Sequence, residues 1–228
     1  MQIRLPHPWN VPREEAIGIQ KMLRDRLILQ DAFISDAIHT VAGADISYSR
    51  ESDIFYAVVL LFSYPDMTII EATTAVESVS FPYIPGLLSF REGPALTRAF
   101  EQLIRKPDIA IFDGQGIAHP RGIGLASHMG LILDIPTVGC AKSRLIGHHE
   151  AVNDEPGSRA ALIHQEQPIG AALRTKKKVK PVYVSPGHRI GITRACEVIL
   201  SCCRGYRLPE PTRQAHLAVN RLRQSAGR

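Results

Sequence analysis

The sequence lacks the features that mark membrane and secreted proteins. It contains no long apolar run, and its mean hydropathy of −0.03 argues against a membrane-spanning segment. The first residues, Met1–Asn10, include no hydrophobic stretch, so no secretory signal is expected. Only four cysteines are present, and none of them forms a CxxC pair. We therefore expect a reduced cytoplasmic protein with incidental thiols, no disulfide framework and no membrane association.

The sequence also lacks internal repeats and low-complexity linkers. Nothing in its 228 residues divides the chain convincingly, and 45% hydrophobic residues are enough for a globular core. We therefore expect a single domain over residues 1–228.

Negative charge is scarce at the end of the chain. Arg174–Arg228 contains 13 Lys/Arg and 2 Asp/Glu, a net charge of +11, whereas the whole chain carries +5 and the remainder −6. This asymmetry fits a polyanion bound by the basic part and a metal bound by the acidic part, and equally a basic tail that only increases solubility.

The order of segments predicts an α/β fold with a mixed sheet. After Pro12, apolar residues at helical spacing predict a helix to about Ala37, and strand-like runs that resemble an antiparallel meander follow it. The predicted strands are Thr40–Ser47, Tyr56–Phe62, Met67–Val76, Ile109–Phe112, Thr137–Cys140 and a hairpin of Ile169–Leu173 with Pro181–Val184. The later predicted helices are Pro94–Arg105, Gly124–Leu133, Thr193–Cys203 and Thr212–Gln224, and His148–Ser158 is a predicted loop.

Acidic residues interrupt or follow apolar strands. Asp45 lies in a run of small and apolar residues, and Asp113 directly follows a predicted strand. A carboxylate on a buried strand is unfavourable unless it is paired or bound to a metal, although a capping or turn aspartate is the alternative at each position. Converging carboxylates suit Mg²⁺, and Glu92, just ahead of a predicted helix, is a candidate third ligand or else a residue that favours the helix dipole.

Glycines are concentrated after Asp113. Gly114, Gly116, Gly122 and Gly124 let the backbone approach a planar base or a sugar–phosphate, but their spacing matches neither a phosphate loop nor a dinucleotide fingerprint. Within this stretch His119 is a candidate for phosphate contact or proton transfer. By contrast, we expect His128 to be a structural histidine within a helix, and His148 and His149 to lie on the surface.

Several other residues suit a nucleic-acid ligand. The rigid turn Phe81–Gly86 projects Tyr83 and Ile84, which could unstack bases, although the residues alone favour a loop that covers the core. Lys142 follows a strand and can approach a phosphate oxygen. We expect Lys176–Lys178 to be solvated and not catalytic, although they could contact a nucleic-acid backbone nonspecifically. Thr212 is a candidate N-cap that would place His216 in the first turn of the last helix.

Together these motifs resemble the Endonuclease V family of deoxyinosine-directed DNA repair nucleases. The similarity spans most of the chain, and its strength lies in the order and spacing of the motifs. They are VAGADISY from Val41, PYIPG from Pro82, LSFRE from Leu88, DGQGIAHPR from Asp113, GLASH from Gly124, GCAKS from Gly139, PVYVSPGH from Pro181 and PTRQAH from Pro211.

The resemblance implies a fold and an activity. The fold would be ribonuclease H-like, which agrees with the mixed sheet predicted from the segments. The activity would be a Mg²⁺-dependent cut, with Mn²⁺ as a possible substitute, at the second phosphodiester bond 3′ to a deoxyinosine in DNA. The products would carry a 3′-hydroxyl and a 5′-phosphate.

The resemblance also assigns roles to residues. Asp45, Glu92 and Asp113 match the metal ligands, Lys142 the lysine near the phosphate, and His216 the histidine near the metal site. Tyr83, within Pro82, Ile84 and Pro85, matches the wedge that fills the gap left by the extruded base. The pocket for the flipped hypoxanthine would be formed by Gly86, Leu88, Gly114, Gly116, His119, Gly124, Ala141 and Leu145, where glycine lets main-chain groups reach the base edge.

Three other functions remain open. An inosine-specific endoribonuclease would keep the site and require a ribose 2′-hydroxyl. A noncatalytic binder of deaminated or branched nucleic acid is opposed by the intact acidic set, and a metabolic phosphohydrolase leaves the wedge and the basic C-terminal part unexplained. The expected oligomeric state is a monomer, because no segment resembles a coiled coil or an isolated apolar helix.

Overall fold

A computed structural model describes residues 1–31, 38–48 and 53–226. Its helices are α1 (Arg13–Arg24), α2 (Leu88–Glu101), α3 (Leu125–Leu133), α4 (Ile192–Ser201) and α5 (Glu210–Ala226). Its strands are β1 (Thr40–Tyr48), β2 (Ile54–Ser63), β3 (Ile69–Ser78), β4 (Ile109–Phe112), β5 (Thr137–Ala141), β6 (Arg159–His164), β7 (Gln167–Leu173) and β8 (Val182–His188).

The eight strands form one mixed sheet in the order β3-β2-β1-β4-β5-β8-β7-β6. The predicted antiparallel meander of β1, β2 and β3 is confirmed, and so is the antiparallel pairing of β7 with β8. At the centre, β1, β4 and β5 run parallel, which brings their carboxyl ends to the same edge of the sheet. The predicted α/β class with a mixed sheet is therefore confirmed.

Helices cover both faces of the sheet. Alternate residues of a strand point to opposite faces, so Ala42 and Ala44 pack with the helices α1, α2 and α3, whereas Val41 packs with α4 and α5. In β4, Phe112 belongs to the first layer and Ile111 to the second. A residue's position along a central strand thus decides which helices its side chain can meet.

The first helix is shorter than predicted. It ends at Arg24, and backbone bonds from Arg26 to Leu23 (3.0 Å) and from Leu27 to Arg24 (3.1 Å) turn the chain. Beyond the turn the backbone of Ile28 bonds outside the helix, with its N–H donating to His188 Nδ1 at 3.3 Å. Tertiary hydrogen bonds therefore replace the helix that apolar spacing predicted. The rest of that prediction, residues 32–37, lies outside the described residues.

The second helix begins six residues before Pro94, where we had predicted its start. Proline has no N–H, so within a helix it removes one intrahelical bond and costs about 3 kcal/mol, which burial of apolar residues on both sides must offset. Phe90 and Leu96, one on each side of Pro94, are both buried against the sheet. Glu92 consequently lies inside α2 and not ahead of it.

Two other predictions need correction. Strand β6 was not predicted, because Leu162 is its only fully buried residue and the sequence shows no clear alternation. Thr212 is not the N-cap of α5: the helix begins at Glu210, and the Thr212 hydroxyl donates to the Pro209 carbonyl at 3.3 Å. His216 therefore lies in the second turn. No described helix is long and apolar enough to cross a membrane, and all four cysteines are free.

Candidate active site

Asp45 and Asp113 lie side by side on neighbouring parallel strands. Ala44 of β1 pairs with Phe112, the last residue of β4, so Asp45 within β1 is adjacent to Asp113, which directly follows β4. Only 14% of the Asp45 side chain and 18% of the Asp113 side chain are exposed. Burial raises the pKa of Asp45, a hydrogen bond with His216 opposes this rise, and the charge of Asp113 adds to it.

Glu92 reaches the same edge from helix α2. Burial, together with the negative charges of Asp45 and Asp113, raises the pKa of Glu92 from 4.5 to about 8. Among the residues that the structure describes, none forms a hydrogen bond or ion pair with the Glu92 carboxylate. Burial and, to a smaller extent, the charges of Asp45 and Asp113 therefore favour the protonated form of Glu92 at neutral pH when no cation is bound.

His216 approaches Asp45 from helix α5. Its Nδ1 lies 2.6 Å from Asp45 Oδ2, and about half of its side chain is exposed. The sequence permits this contact because Gly43, two residues before Asp45, has no side chain to keep α5 away from β1. The structure thus brings His216 to the acidic edge, as the resemblance implied.

Lys142 follows β5, the next parallel strand. Its ammonium group forms an ion pair with Asp113 Oδ2 while remaining 43% exposed. The Lys142 carbonyl accepts a hydrogen bond from Arg207 at 2.6 Å, which fixes the backbone at this point. An exposed ammonium group next to the carboxylates can meet an anionic ligand that enters from solvent.

Two of the three acidic side chains have partners of opposite or potential positive charge. Within residues 1–31, 38–48 and 53–226, no group of three or more His, Cys, Asp or Glu side chains stands close enough together to hold a metal ion. Asp45 is turned to His216, and Asp113 to Lys142. The chemistry of the set still fits a hard divalent cation, since all its donors are carboxylate oxygens and their mutual repulsion is what a cation would relieve.

The turn that carries Tyr83 projects from the fold. Tyr83 is 68% exposed, and the neighbouring Pro82 and Pro85 are exposed as well. The turn is anchored at its base by Phe81, which is buried and stacked on Phe90 of α2 at 5.5 Å between ring centroids. Ile84 is partly buried against the first core layer. The predicted wedge is therefore a rigid, exposed aromatic tip on a buried base.

Gly86 and His119, two of the predicted pocket residues, are linked through Arg121. The Gly86 carbonyl accepts hydrogen bonds from the Arg121 guanidinium and from Gln20 Nε2 (3.0 Å), and the Arg121 backbone N–H donates to His119 Nδ1 at 3.2 Å. Gly86 has φ +80°, a conformation that glycine adopts readily. Burial, and then the charge of Arg121, lower the pKa of His119 to about 4, so His119 is neutral.

The glycine-rich loop after Asp113 is packed tightly by backbone contacts. The Gly124 N–H donates to the Gly116 carbonyl at 2.8 Å, and the Gly116 N–H donates to Ser185 Oγ at 2.8 Å. A Cβ on Gly116 would stand 2.0 Å from the Pro186 carbonyl oxygen. Gly114 has more room, with Leu125 at 3.6 Å as its nearest neighbour. The close packing of backbone against these two positions therefore explains why residues 116 and 124 are glycines.

The remaining predicted pocket residues are close in sequence to Lys142 and Glu92. Ala141 ends β5 directly before Lys142 and is buried, whereas Leu145 is 54% exposed beyond it. Leu88, at the start of α2, is 36% exposed one turn before Glu92.

For His128 and for Lys176–Lys178 the sequence predicts a structural and a solvated role, respectively. His128 is fully buried, with Nε2 2.7 Å from His7 Nε2 and Nδ1 2.8 Å from Ser89 Oγ, so its role is structural as expected. Lys177 is exposed and pairs with Glu155, which agrees with the predicted solvated lysines.

Three residues that contact the site were not singled out from the sequence. Arg121 holds Gly86 and His119, Gln115 Nε2 donates to the Ser143 carbonyl at 3.1 Å, and Asn220 contacts His216. Asn220 lies four residues after His216, a helical spacing that could have indicated the contact. The other two contacts depend on tertiary packing.

A cavity of about 870 Å³ opens beside this region. His119, Arg121 and Gly122 line one side of it, and Lys21 and Arg24 of α1 line another. It includes none of the predicted pocket glycines, so it borders the candidate base pocket and is not identical with it.

Comparison with known proteins places this arrangement in a family. The profile of the family Endonuclease V matches residues 21–217. The chain is 52% identical over 222 residues to Endonuclease V of Trichormus variabilis, covering 97% of this chain and 100% of that one. The crystal structure of Endonuclease V from Streptomyces avermitilis has a TM-score of 0.92 and 38% identity, with 100% of both chains covered.

A further similar structure contains a nucleic acid. Endonuclease V of Ciona intestinalis, in complex with a 24mer DNA containing an inosine followed by a ribo-adenosine, has a TM-score of 0.83 and 27% identity, covering 93% of this chain and 98% of that one. Fold and relatives together define the class of this protein as a nuclease. The chain belongs to the Endonuclease V family.

Proposed function

We propose that this protein is a Mg²⁺-dependent endonuclease that recognises deoxyinosine in DNA. It cuts the second phosphodiester bond on the 3′ side of the lesion and leaves a 3′-hydroxyl and a 5′-phosphate. The observation that carries this proposal is the placement of Asp45 beside Asp113 on adjacent parallel strands, with Glu92 close enough for its pKa to be raised by both, between Lys142 and His216. The Ciona relative bound to inosine-containing DNA supports the choice of substrate.

Asp45, Glu92 and Asp113 would hold the cation. A bound Mg²⁺ supplies a Lewis acid that lowers the pKa of water and neutralises charge on the phosphate under attack. Mn²⁺ has the same preference for carboxylate oxygens and would substitute. The raised pKa of Glu92 supports this assignment, because a carboxyl that is protonated without a cation releases its proton when one binds.

The neighbouring side chains have separate tasks. Lys142, whose ammonium group is partly exposed beside Asp113, offsets negative charge on a nonbridging phosphate oxygen. His216 keeps the Asp45 carboxylate oriented through the 2.6 Å contact and can orient a water on its exposed side. Both tasks can be carried out from the positions that Lys142 and His216 occupy in this structure.

Lesion recognition uses the exposed turn and the glycine-rich loop. The Tyr83 ring, with Pro82, Ile84 and Pro85 as its rigid support, fills the gap that an extruded base leaves in the stack. Main-chain groups near Gly86, Gly114, Gly116 and Gly124 read the hypoxanthine edge, which differs from that of adenine by a carbonyl and a ring N–H. His119, Leu88, Ala141 and Leu145 complete the pocket wall.

The proposal includes a cytoplasmic location and a monomeric state. Four free cysteines, three of them buried, support a reducing compartment. Sedimentation of the purified protein over a concentration series tests the monomeric state.

Cleavage of inosine-containing RNA is the second candidate. A specific observation favours it: the DNA bound by the Ciona relative has a ribo-adenosine directly after the inosine. A 2′-hydroxyl at that position would distinguish the two substrates.

A substrate panel tests the proposal. End-labelled duplexes with one deoxyinosine, the same duplexes with deoxyadenosine, and an RNA of matched sequence with one inosine are incubated with Mg²⁺ or with EDTA. A Mg²⁺-dependent nick at the second bond 3′ to deoxyinosine, preferentially in DNA, is the expected result. Preferential cutting of RNA would show that RNA, and not DNA, is the substrate. Tight binding without any cutting would support a noncatalytic binder.

A further inference from the structure

Asn220 lies one helical turn after His216 and contacts it twice. Its Nδ2 is 2.9 Å from the His216 carbonyl oxygen and 3.2 Å from the His216 ring at Nε2. Its Oδ1 accepts a hydrogen bond from the Ser47 hydroxyl of β1 at 3.2 Å. A single amide side chain therefore connects the histidine of the candidate site to the strand that carries Asp45.

These contacts fix which way the Asn220 amide points. The His216 carbonyl can only accept a hydrogen bond, so the amide group facing it must be the NH₂ donor. Ser47 donates to the opposite end of the amide, which is consistent with an acceptor oxygen there. The second hydrogen of the same NH₂ group then faces His216 Nε2.

The orientation of the amide determines the protonation pattern of the His216 ring. Because Nε2 faces an N–H donor, it must present a lone pair. The proton of the neutral imidazole then resides on Nδ1, where it is donated to Asp45 Oδ2 at 2.6 Å. In the other tautomer, lone pairs would face each other across that 2.6 Å contact, and two N–H groups would meet at Asn220.

We infer that Asn220 and Ser47 are positioning residues that hold His216 as the Nδ1–H tautomer directed at Asp45. Ser47 orients the Asn220 amide, Asn220 orients the His216 ring, and His216 orients the Asp45 carboxylate. Neither Asn220 nor Ser47 approaches the reacting phosphate in this scheme. The consequence for activity rests on the proposed function, whereas the tautomer is a property of the metal-free protein.

Nitrogen-15 NMR of the imidazole side chains tests the tautomer directly, without metal or substrate. The His216 signals are assigned by their loss in His216→Gln. We expect the neutral Nδ1–H pattern at pH 8 in the unmodified protein. Finding the neutral Nε2–H tautomer there overturns the inference without any Asn220 variant.

Asn220→Asp tests the role of the amide. The aspartate offers only acceptors to Nε2, so the His216 pattern should change to one with a proton on Nε2. The matched control is Gln224→Glu, which makes the same amide-to-carboxylate change at an exposed position one turn further along α5. A His216 pattern unchanged in Asn220→Asp contradicts the inference, and equal thermal unfolding midpoints verify that the variants are folded.

Single-turnover cleavage measures the consequence. We expect Asn220→Asp to cut the deoxyinosine duplex about 10- to 100-fold more slowly, as found for outer residues that orient site ligands, with unchanged DNA affinity. Gln224→Glu should cut at the original rate. If the original protein cuts neither DNA nor RNA, the proposed function fails, while the NMR result still decides the tautomer. If it cuts and Asn220→Asp matches its rate, the positioning role is wrong.

Discussion

Gly43 of β1 lies against Pro211 of α5 so closely that a Cβ on Gly43 would be 2.2 Å from the Pro211 carbonyl carbon. This approach brings α5 onto the sheet where His216, in the second turn of the helix, reaches Asp45. The absence of a side chain at Gly43 therefore has a direct effect on the geometry of the site two residues away.

Gly43→Ala should displace α5 and separate His216 from Asp45. The added methyl group meets backbone atoms, which cannot rotate away, and overpacking of this kind costs about 1–3 kcal/mol of unfolding free energy. We expect a lower midpoint in urea and a large loss of cleavage. Gly18→Ala, in α1 where a Cβ meets no atom within 4 Å, is the control: it should keep full cleavage, and its urea midpoint should stay the same or rise, because alanine favours a helix more than glycine does. Full activity in Gly43→Ala would contradict this explanation.

Glu92→Gln should change how stability depends on pH in the absence of metal. Because the Glu92 pKa is about 8 in the folded state and 4.5 ordinarily, the folded protein holds an extra proton between these values. The Glu92 contribution to the free energy of unfolding must then fall as pH rises from 4.5 to 8, by at most about 1.4 kcal/mol per pH unit. Urea unfolding over this range should show that Glu92→Gln lacks this falling contribution, so that its stability relative to the original protein increases from pH 4.5 to pH 8.

Mg²⁺ provides the control for the Glu92 prediction. At pH 8 the cation should raise the urea midpoint of the original protein, because a ligand that binds only the folded state stabilises it. The rise should be smaller in Glu92→Gln. Equal pH profiles and equal responses to Mg²⁺ in the two proteins would contradict the assignment of Glu92 to the acidic cluster.

Tyr83→Ala should weaken binding of the deoxyinosine duplex while leaving the metal response intact. Stacking of a base on an aromatic ring contributes about 1–3 kcal/mol, which corresponds to a loss of affinity of roughly 5- to 150-fold. Tyr83→Phe keeps the ring and should bind like the original protein. Tyr206→Ala, at another exposed tyrosine, is the control for a general effect. Binding is measured by fluorescence anisotropy with EDTA present, and unchanged affinity in Tyr83→Ala would exclude the wedge.

Acid should destabilise the protein partly through His128. Its folded-state pKa is about 3 against an ordinary 6.5, so below pH 6.5 the unfolded chain binds a proton that the folded protein rejects. Its contribution to stability is thus complete above pH 6.5 and is lost as pH falls towards 3. His128→Gln should be less stable at pH 7.5 by about 1–3 kcal/mol but should lose less on acidification. His148→Gln, in an exposed loop, should follow the original protein.

The central part of the fold was predictable because its strands are short apolar runs. Asp45 and Asp113 stood out for the same reason, since a carboxylate within or directly after such a run needs a partner. Glu92 was identified as a candidate ligand but placed ahead of its helix, because Pro94 looked like a helix start. The helix continues through the proline because Phe90 and Leu96, on either side of it, are buried, and burial depends on tertiary packing.

Other parts of the site could not be predicted from local patterns. His216 is 171 residues from Asp45 in sequence, and only the resemblance to the family connected the two. Asn220 and Ser47 are ordinary helix and strand residues until the fold brings them together. Similarly, the first helix ends at Arg24 because the backbone that follows it forms hydrogen bonds near His188. The apolar spacing of the helix itself does not predict these contacts.

The most direct test compares the original protein with Asp45→Asn on a duplex containing one deoxyinosine. Cleavage with Mg²⁺ is followed under single-turnover conditions, and binding is measured in parallel. We predict that Asp45→Asn cuts at least about 1,000-fold more slowly, equivalent to roughly 4 kcal/mol of transition-state stabilisation, while it still binds the lesion. Cleavage by Asp45→Asn at the original rate would show that the acidic edge of the sheet is not the active site.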